Sequence, residues 1–560
     1  MPPIGGSNRV RNHTFNQSFG LDQSIELKYV WALTIARRTC GASTAVGTMN
    51  LLQQRHALRA SVAPAVPNEK NWVRMTTATV EGVDVDTRHW IGGERIPSQT
   101  TFTDISPIDE QPIAEIAAGS AAEVDAAVKA AQQSFPDWAA MPRDERANLL
   151  RRVADGIDAR AEELARVETR DNGSLLRSHR RSVMPRVGMN FRFFADYAEK
   201  LDHPGGEIRG HRERVTYDPA GVTAIITPWN APLMLATWRI GPALAAGNTV
   251  VAKPPEWAPL TASLLADITH EAGLPAGVFN VVQGSGSEAG APLTAHPGIR
   301  RLAFTGSVPT AGMIAKAAAP NIVPLSFELG GKSPLVVFAD SDFDLAVSLA
   351  VEQFDNSGQV CLGAFRFLVE NSIADRFTEA VLAKAKTIVQ GDPRDEATEM
   401  SCLISRQHFE RVDGFVRRAL AAGATAVLGG SPNGELGHLY YRPTILVDAE
   451  PGSEILTEEV FGPVLTVQTF SGEEQAVEMA NNTRFGLAAT LITGDPDRAE
   501  RVSARLNAGT VWVNCFFVRD LGAPFGGNGR SGIGREGGIY SFDFYSDIKN
   551  TVFSPTGWTT

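Results

Sequence analysis

The sequence predicts an α/β protein: a Rossmann-like parallel sheet with crossover helices, a second α/β lobe, and a small closing β element. Three observations carry this. From residue 215, short β-branched runs alternate with helix-like stretches; a second such series starts after Glu328; and 43% hydrophobic with 21% charged residues over 560 positions can fill more than one core.

Taken in order, residues 1–60 hold six Arg and one Lys against only Asp22 and Glu26, a basic, acid-poor start of the kind found in transit peptides. Met75 stands just before Thr87-Arg-His-Trp-Ile-Gly-Gly-Glu-Arg-Ile96, which reads as the first strand and turn of the folded part. Residues 1–74 are therefore expected to be an upstream extension, a non-native start or a targeting segment, without a part in catalysis. Ser120-Ala-Ala-Glu123 has the form of a capping box before an Ala-rich helix to Phe135. Further helices are expected over 143–170 and 185–200.

The β-branched runs are Val222–Ile226, Thr249–Ala252, Val278–Val282 and Arg301–Thr305, with helices expected at Leu233–Ala246, Leu260–Ala272, Glu288–Ala295 and Thr310–Ala319. A parallel sheet built this way holds its ligand at the carboxyl ends of the strands. The second series begins at Pro334–Phe338, passes through 403–423 and ends near Val511–Cys515. The run Tyr545–Phe553 reads as an edge strand.

Composition narrows the function classes. A formal charge of −11, from 63 acidic and 52 basic residues spread along the chain, offers no field for nucleic acid. No run of eighteen apolar residues suggests a membrane span. Cysteines at 40, 361, 402 and 515 make neither a disulfide framework nor a CxxC metal pair, so a reducing, cytoplasmic setting is expected and no metal is indicated.

Three residues suggest chemistry. Cys361, in Asn356-Ser-Gly-Gln-Val-Cys361, is a potential thiol nucleophile, although a single cysteine alone is more often a small buried hydrophobe. Glu328, ending an apolar strand before Gly330 and Gly331, is a potential general base; its bland alternative is pairing with Lys332. Asn230, in Ile226-Thr-Pro-Trp-Asn-Ala-Pro232, can donate to an oxyanion, or simply occupy a turn.

Together the motifs resemble the aldehyde dehydrogenase superfamily. Thr227-Pro-Trp-Asn230, Lys253-Pro-Pro-Glu256, Phe304-Thr-Gly-Ser307, Glu328-Leu-Gly-Gly-Lys332, Gly358-Gln-Val-Cys361 and Glu458-Glu-Val-Phe-Gly-Pro463 occur in that family's order and approximate spacing, within a resemblance from about Trp90 to Phe553. It implies that Cys361 attacks an aldehyde, that Asn230 and the Cys361 amide hold the oxyanion, and that Glu328 activates the water that hydrolyses the thioester. It also implies NAD as cofactor, with Lys253 and Glu256 on the adenosine ribose, Thr227, Trp229, Gly286, Gly306 and Ser307 along the cofactor path, and Glu459 and Phe461 at the nicotinamide ribose. A carboxylate at Glu256 would repel a 2′-phosphate, which favours NAD over NADP. Two positions depart from the pattern: Ala311 stands where Gly is common, which could weaken cofactor affinity, and Phe365 stands where Ser or Thr is usual.

The resemblance further implies a nucleotide-binding domain over 75–200 and 220–327, a catalytic domain over 328–530, oligomerisation or bridging elements at 201–219 and 531–560, and a homodimer or homotetramer. The stretches Met184–Phe194 and Val518–Gly527 are similar to the muconic-semialdehyde dehydrogenases of aromatic ring-cleavage pathways. Arg186 and Arg519 then fall on the substrate tunnel and could hold a carboxylate bidentately, with Trp238 and Phe517 as apolar lining. Ion pairs elsewhere are the alternative for each arginine, an uncharged aromatic or aliphatic aldehyde is the alternative substrate, and a non-catalytic protein on the same fold is the alternative from outside enzymology.

Overall fold

The β-branched runs of the central segment form strands buried on both faces, the condition under which strands read as continuous apolar runs. The computed structural model describes residues 76–201 and 205–554, so the extension expected over 1–74 lies outside the described residues. Val222–Ile226, Thr249–Lys253, Phe279–Val281, Arg301–Gly306 and Leu325–Leu329 form a parallel array, crossed by helices Pro232–Ala245, Leu260–Glu271, Ala291–Ala295 and Val308–Ala318. The chain lays down Val222–Ile226 first, adds two strands on one side, then returns to add Arg301–Gly306 and Leu325–Leu329 on the other. A crevice opens at the carboxyl ends where the winding reverses, and Thr227, Lys253, Gly306 and Glu328 all sit at those ends.

Antiparallel strands close both edges of this eight-stranded sheet. His89–Ile91 and Glu94–Ile96 lie at one; Gly532–Ile533 pairs with Phe327 and Glu328 at the other. Part of the 531–560 segment, expected as a bridging element, is thus a component of the first sheet and braces the strand that carries Glu328.

Ser120 and Glu123 form the expected capping box, with the Ala122 amide donating to Ser120 at 3.2 Å and the Ser120 amide to Glu123 at 2.8 Å. The helix it starts runs to Ala140, through Pro136. The helix expected over 143–170 breaks at Arg160, giving Arg143–Ala159 and Ala161–Asn172, and Gly173 at φ 76° ends the second half.

The second lobe has seven strands in the order Thr425–Leu428, Thr444–Val447, Val464–Phe470, Arg366–Glu370, Pro334–Val337, Ala488–Ile492 and Thr510–Val513, all parallel except the first pair. A separate sheet joins Ser546–Phe553 to His211–Pro219 and Glu207–Ile208, leaving Ser546–Phe553 at an edge. Among the described residues, no helix is long and apolar enough to cross a membrane.

Candidate active site

Backbone strain places Cys361. After helix Phe343–Glu352 the chain turns through Asn356, Ser357 and Gly358, all left-handed, with φ of 47°, 54° and 69°. A Cβ on Gly358 would collide with the Gly462 carbonyl, so only glycine fits. Side-chain amides hold the turn: Asn356 donates to the Asn230 carbonyl at 3.2 Å, Gln359 donates to the Asn356 carbonyl at 3.1 Å, and the Ile404 amide donates to Gln359 at 3.0 Å. Cys361 thereby lines a cavity of about 390 Å³ together with Asn230 and Glu328.

Burial pushes the Cys361 thiol up to about 12, helped by the negative charges of Glu459 and Glu328 and opposed by Arg519. Reactivity alone would suggest surroundings that favour a thiolate; here they favour the thiol, so a base has to take its proton. Glu328 has the character for that. Its carboxyl is buried, its Oε1 has no hydrogen-bond partner, and burial, reinforced by Glu536, pushes it up to about 8. The alternative pairing with Lys332 is not made: Lys332, pushed down to about 7 by burial, has Glu459 and Glu458 as its acidic neighbours.

Asn230 follows strand Val222–Ile226 and donates Nδ2 to the Gln359 carbonyl at 2.9 Å, fixing it to the loop that carries Cys361. One amide hydrogen is used in this way; the second remains for an oxyanion.

Of the expected cofactor positions, Thr227, Lys253 and Gly306 stand at the carboxyl ends of the first sheet's strands. Lys253 is buried, donates Nζ to the Pro254 carbonyl at 2.8 Å, and is pushed down to about 8 by burial despite Glu256 nearby. The Gly286 amide donates to the Glu256 carboxylate at 2.9 Å, so the acid is held at the rim of the sheet. Ser307 caps helix Val308–Ala318 and follows Gly306, presenting a helix N-terminus of the kind that favours phosphates. Thr227 is buried at its strand end, and Trp229 meets Phe461 edge-on at 5.4 Å across the two lobes. Glu459 accepts from the Gly331 amide at 2.9 Å, and burial pushes it up to about 7. This donor set fits a dinucleotide with a free ribose 2′-hydroxyl. Glu256→Ala is expected to raise the NADP-to-NAD ratio of kcat/KM by about tenfold, read from initial rates with each cofactor.

Both departures acquire a place. Ala311 is 3% exposed and its methyl packs into the core beside the sheet. Phe365 joins the core of the second lobe behind Cys361.

Arg186, Arg519, Trp238 and Phe517 all line the Cys361 cavity. The guanidinium carbons of Arg186 and Arg519 lie 5.5 and 5.3 Å from the Trp238 ring centroid, and that of Arg519 lies 3.6 Å from Phe525. Neither arginine makes an ion pair among the described residues, and Arg519 Nη2 is buried without a hydrogen-bond partner. Burial and the proximity of Arg519 push Arg186 down to about 10. Phe517 is 46% exposed at the mouth.

Sequence reasoning missed the Arg239–Glu536 ion pair, 2.8 Å long and 1% exposed at each side chain, whose acid raises Glu328. Glu536 sits in the Gly-rich stretch 532–538, but nothing local announces its partner on helix Pro232–Ala245.

A thiol, a buried carboxyl and a side-chain amide thus share one cavity near the carboxyl ends of a parallel sheet, the arrangement that a cofactor-dependent enzyme with a cysteine nucleophile would need. The chain belongs to the aldehyde dehydrogenase family, whose model matches residues 95–551. It is 44% identical over 479 residues to the 2-hydroxymuconic semialdehyde dehydrogenase of Pseudomonas sp. (strain CF600), covering 83% of this chain and 98% of that protein. It is 38% identical over 475 residues to the human 2-aminomuconic semialdehyde dehydrogenase, covering 82% and 96%. Among solved structures, HpcC from Thermus thermophilus superposes with a TM-score of 0.82 at 42% identity, covering 85% and 94%. Betaine aldehyde dehydrogenase from Staphylococcus aureus in complex with NAD+ superposes with a TM-score of 0.82 at 35% identity, covering 85% and 96%.

Proposed function

We propose that this aldehyde dehydrogenase oxidises a carboxylate-bearing semialdehyde of aromatic catabolism to the acid, with NAD. The observation that carries the substrate class is the pair of guanidiniums, Arg186 and Arg519, flanking Trp238 with no carboxylate in salt-bridge contact among the described residues, while Asp520 acts on Arg186, and Glu328 and Glu536 on Arg519, from farther off. An acid group at the far end of the substrate would supply that charge and leave the aldehyde toward Cys361. The names of the muconic semialdehyde relatives point the same way.

In this reading Glu328 takes the Cys361 proton as sulfur adds to the carbonyl carbon, and Asn230 with the Cys361 amide holds the resulting oxyanion. The nicotinamide of NAD supplies the hydride acceptor. Loss of hydride leaves a thioester on Cys361; Glu328, once it has released the thiol proton to solvent, deprotonates water, which adds to the acyl carbon, and the acid departs as the proton taken from water returns to the sulfur. Glu459 and Phe461 would hold the cofactor from the second lobe, and Lys253 and Glu256 its adenosine ribose. The edge strand Ser546–Phe553 would join a like subunit in a homodimer or homotetramer.

The test is NADH formation across aldehydes of matched length with and without a distal carboxylate. Arg186→Ala is expected to lower kcat/KM for the carboxylated members by on the order of a hundredfold, and for the uncharged members far less, whereas Arg519→Ala, which also removes the positive charge acting on Cys361 and Glu328, is expected to slow both sets. Equal losses on both sets from Arg186→Ala, or a preference of the parent enzyme for uncharged aldehydes, would return the reading to a general aldehyde dehydrogenase.

A further inference from the structure

Arg186 does not orient itself. It lies one helical turn before Asn190 on helix Met184–Glu199, so the two side chains share a face. Asn190 is fully buried. Its Nδ2 donates to the Met234 carbonyl at 3.2 Å and to Thr237 Oγ1 at 3.0 Å, both on helix Pro232–Ala245. The Met234 carbonyl can only accept, which fixes the amide so that Oδ1 faces Arg186, whose Nε donates to it at 3.0 Å.

We infer that Asn190 is a positioning residue for substrate selection: it holds the Arg186 guanidinium by its Nε edge against Trp238, leaving both terminal nitrogens to the substrate's carboxylate. A long arginine side chain loses much rotamer freedom on binding a carboxylate, and a fixed Nε bears that loss before substrate arrives. Asn190 is neutral, so it holds the cation without cancelling its charge; an aspartate there would form an ion pair and spend the attraction internally. The three-residue link Thr237–Asn190–Arg186 also ties the clamp to the helix that carries Trp238, so cation and ring move as one piece. The inference rests on the carboxylate-bearing substrate proposed above.

Asn190→Leu and Arg186→Met, alone and together, separate the possibilities in steady-state kinetics with a carboxylated and an uncharged aldehyde of matched length. Asn190→Leu is expected to raise KM for the carboxylated aldehyde on the order of tenfold, with kcat and the uncharged aldehyde little changed, and to add nothing in the Arg186→Met background. If Asn190→Leu does not fold, Asn190→Asp keeps the acceptor but adds a charge, and the same split in KM is expected. Equal effects on both aldehydes, or additivity with Arg186→Met, would overturn the positioning role. If Arg186→Met itself spares the carboxylated aldehyde, the proposed substrate class fails; if Arg186→Met raises that KM and Asn190→Leu does not, only the role of Asn190 fails.

Discussion

Cys361→Ala is expected to remove NADH formation, by a factor on the order of 10³ or more, while leaving NAD binding intact. The expectation is specific to the geometry. Cys402 is buried, and Cys515, though half-buried, follows strand Thr510–Val513 and lies outside the lining of the Cys361 cavity. With no second thiol lining that cavity among the described residues, the variant is expected to lack a nucleophile for the carbonyl carbon. Initial rates of NADH absorbance check the loss, and fluorescence titration with NAD checks that the crevice is intact. Steady turnover in the variant would contradict a covalent route.

Glu328→Gln is expected to lower kcat by about 10²–10⁴ and to leave, at most, one equivalent of NADH formed in a rapid first phase. The amide cannot activate water, so acyl-enzyme accumulates; loss of the thiol proton falls to solvent and is slowed, not stopped. The parent enzyme should show the matching pH dependence. Burial raises this carboxyl to about 8, and a general base works only when ionised, so activity limited by Glu328 climbs as pH rises toward 8 and levels above it. At pH 6 only about 1% of such a group is ionised, so the rate should be near a hundredth of its plateau. The climb should be absent from the residual rate of Glu328→Gln. An amide there also removes a proton-binding group from the Glu328, Glu536 and Arg239 cluster, so thermal melting of both proteins at pH 6 and 9 separates chemistry from folding.

The strands that carry the site were legible because burial on both faces leaves continuous β-branched runs. Val222–Ile226 matches its sequence reading residue for residue. Helix ends were less legible. Arg160, at φ −108° and ψ 16°, breaks a helix that composition alone would continue. Likewise the stretch expected as a helix from Glu288 starts earlier, with a wide turn over Gly286–Gly290. Cys361, Glu328 and Asn230, the proposed nucleophile, base and amide donor, were singled out from motif order, and the structure brings all three to one cavity. What spacing could not carry was their electrostatic state. Burial raises both groups, and the rest comes from distant acids: Glu459, about a hundred residues away, for the Cys361 thiol, and Glu536, about two hundred away, for Glu328. Asn190 was visible as a letter beside Arg186, but its role needs Met234 and Thr237 from another helix.

The central claim is the acyl-enzyme on Cys361, and its most direct test is the mass of Glu328→Gln after mixing with NAD and a carboxylated semialdehyde. The account predicts a chain heavier by the aldehyde mass less two hydrogens, with the added mass on the peptide that contains Cys361. A chain of unchanged mass, recovered while NADH continues to form, would contradict it.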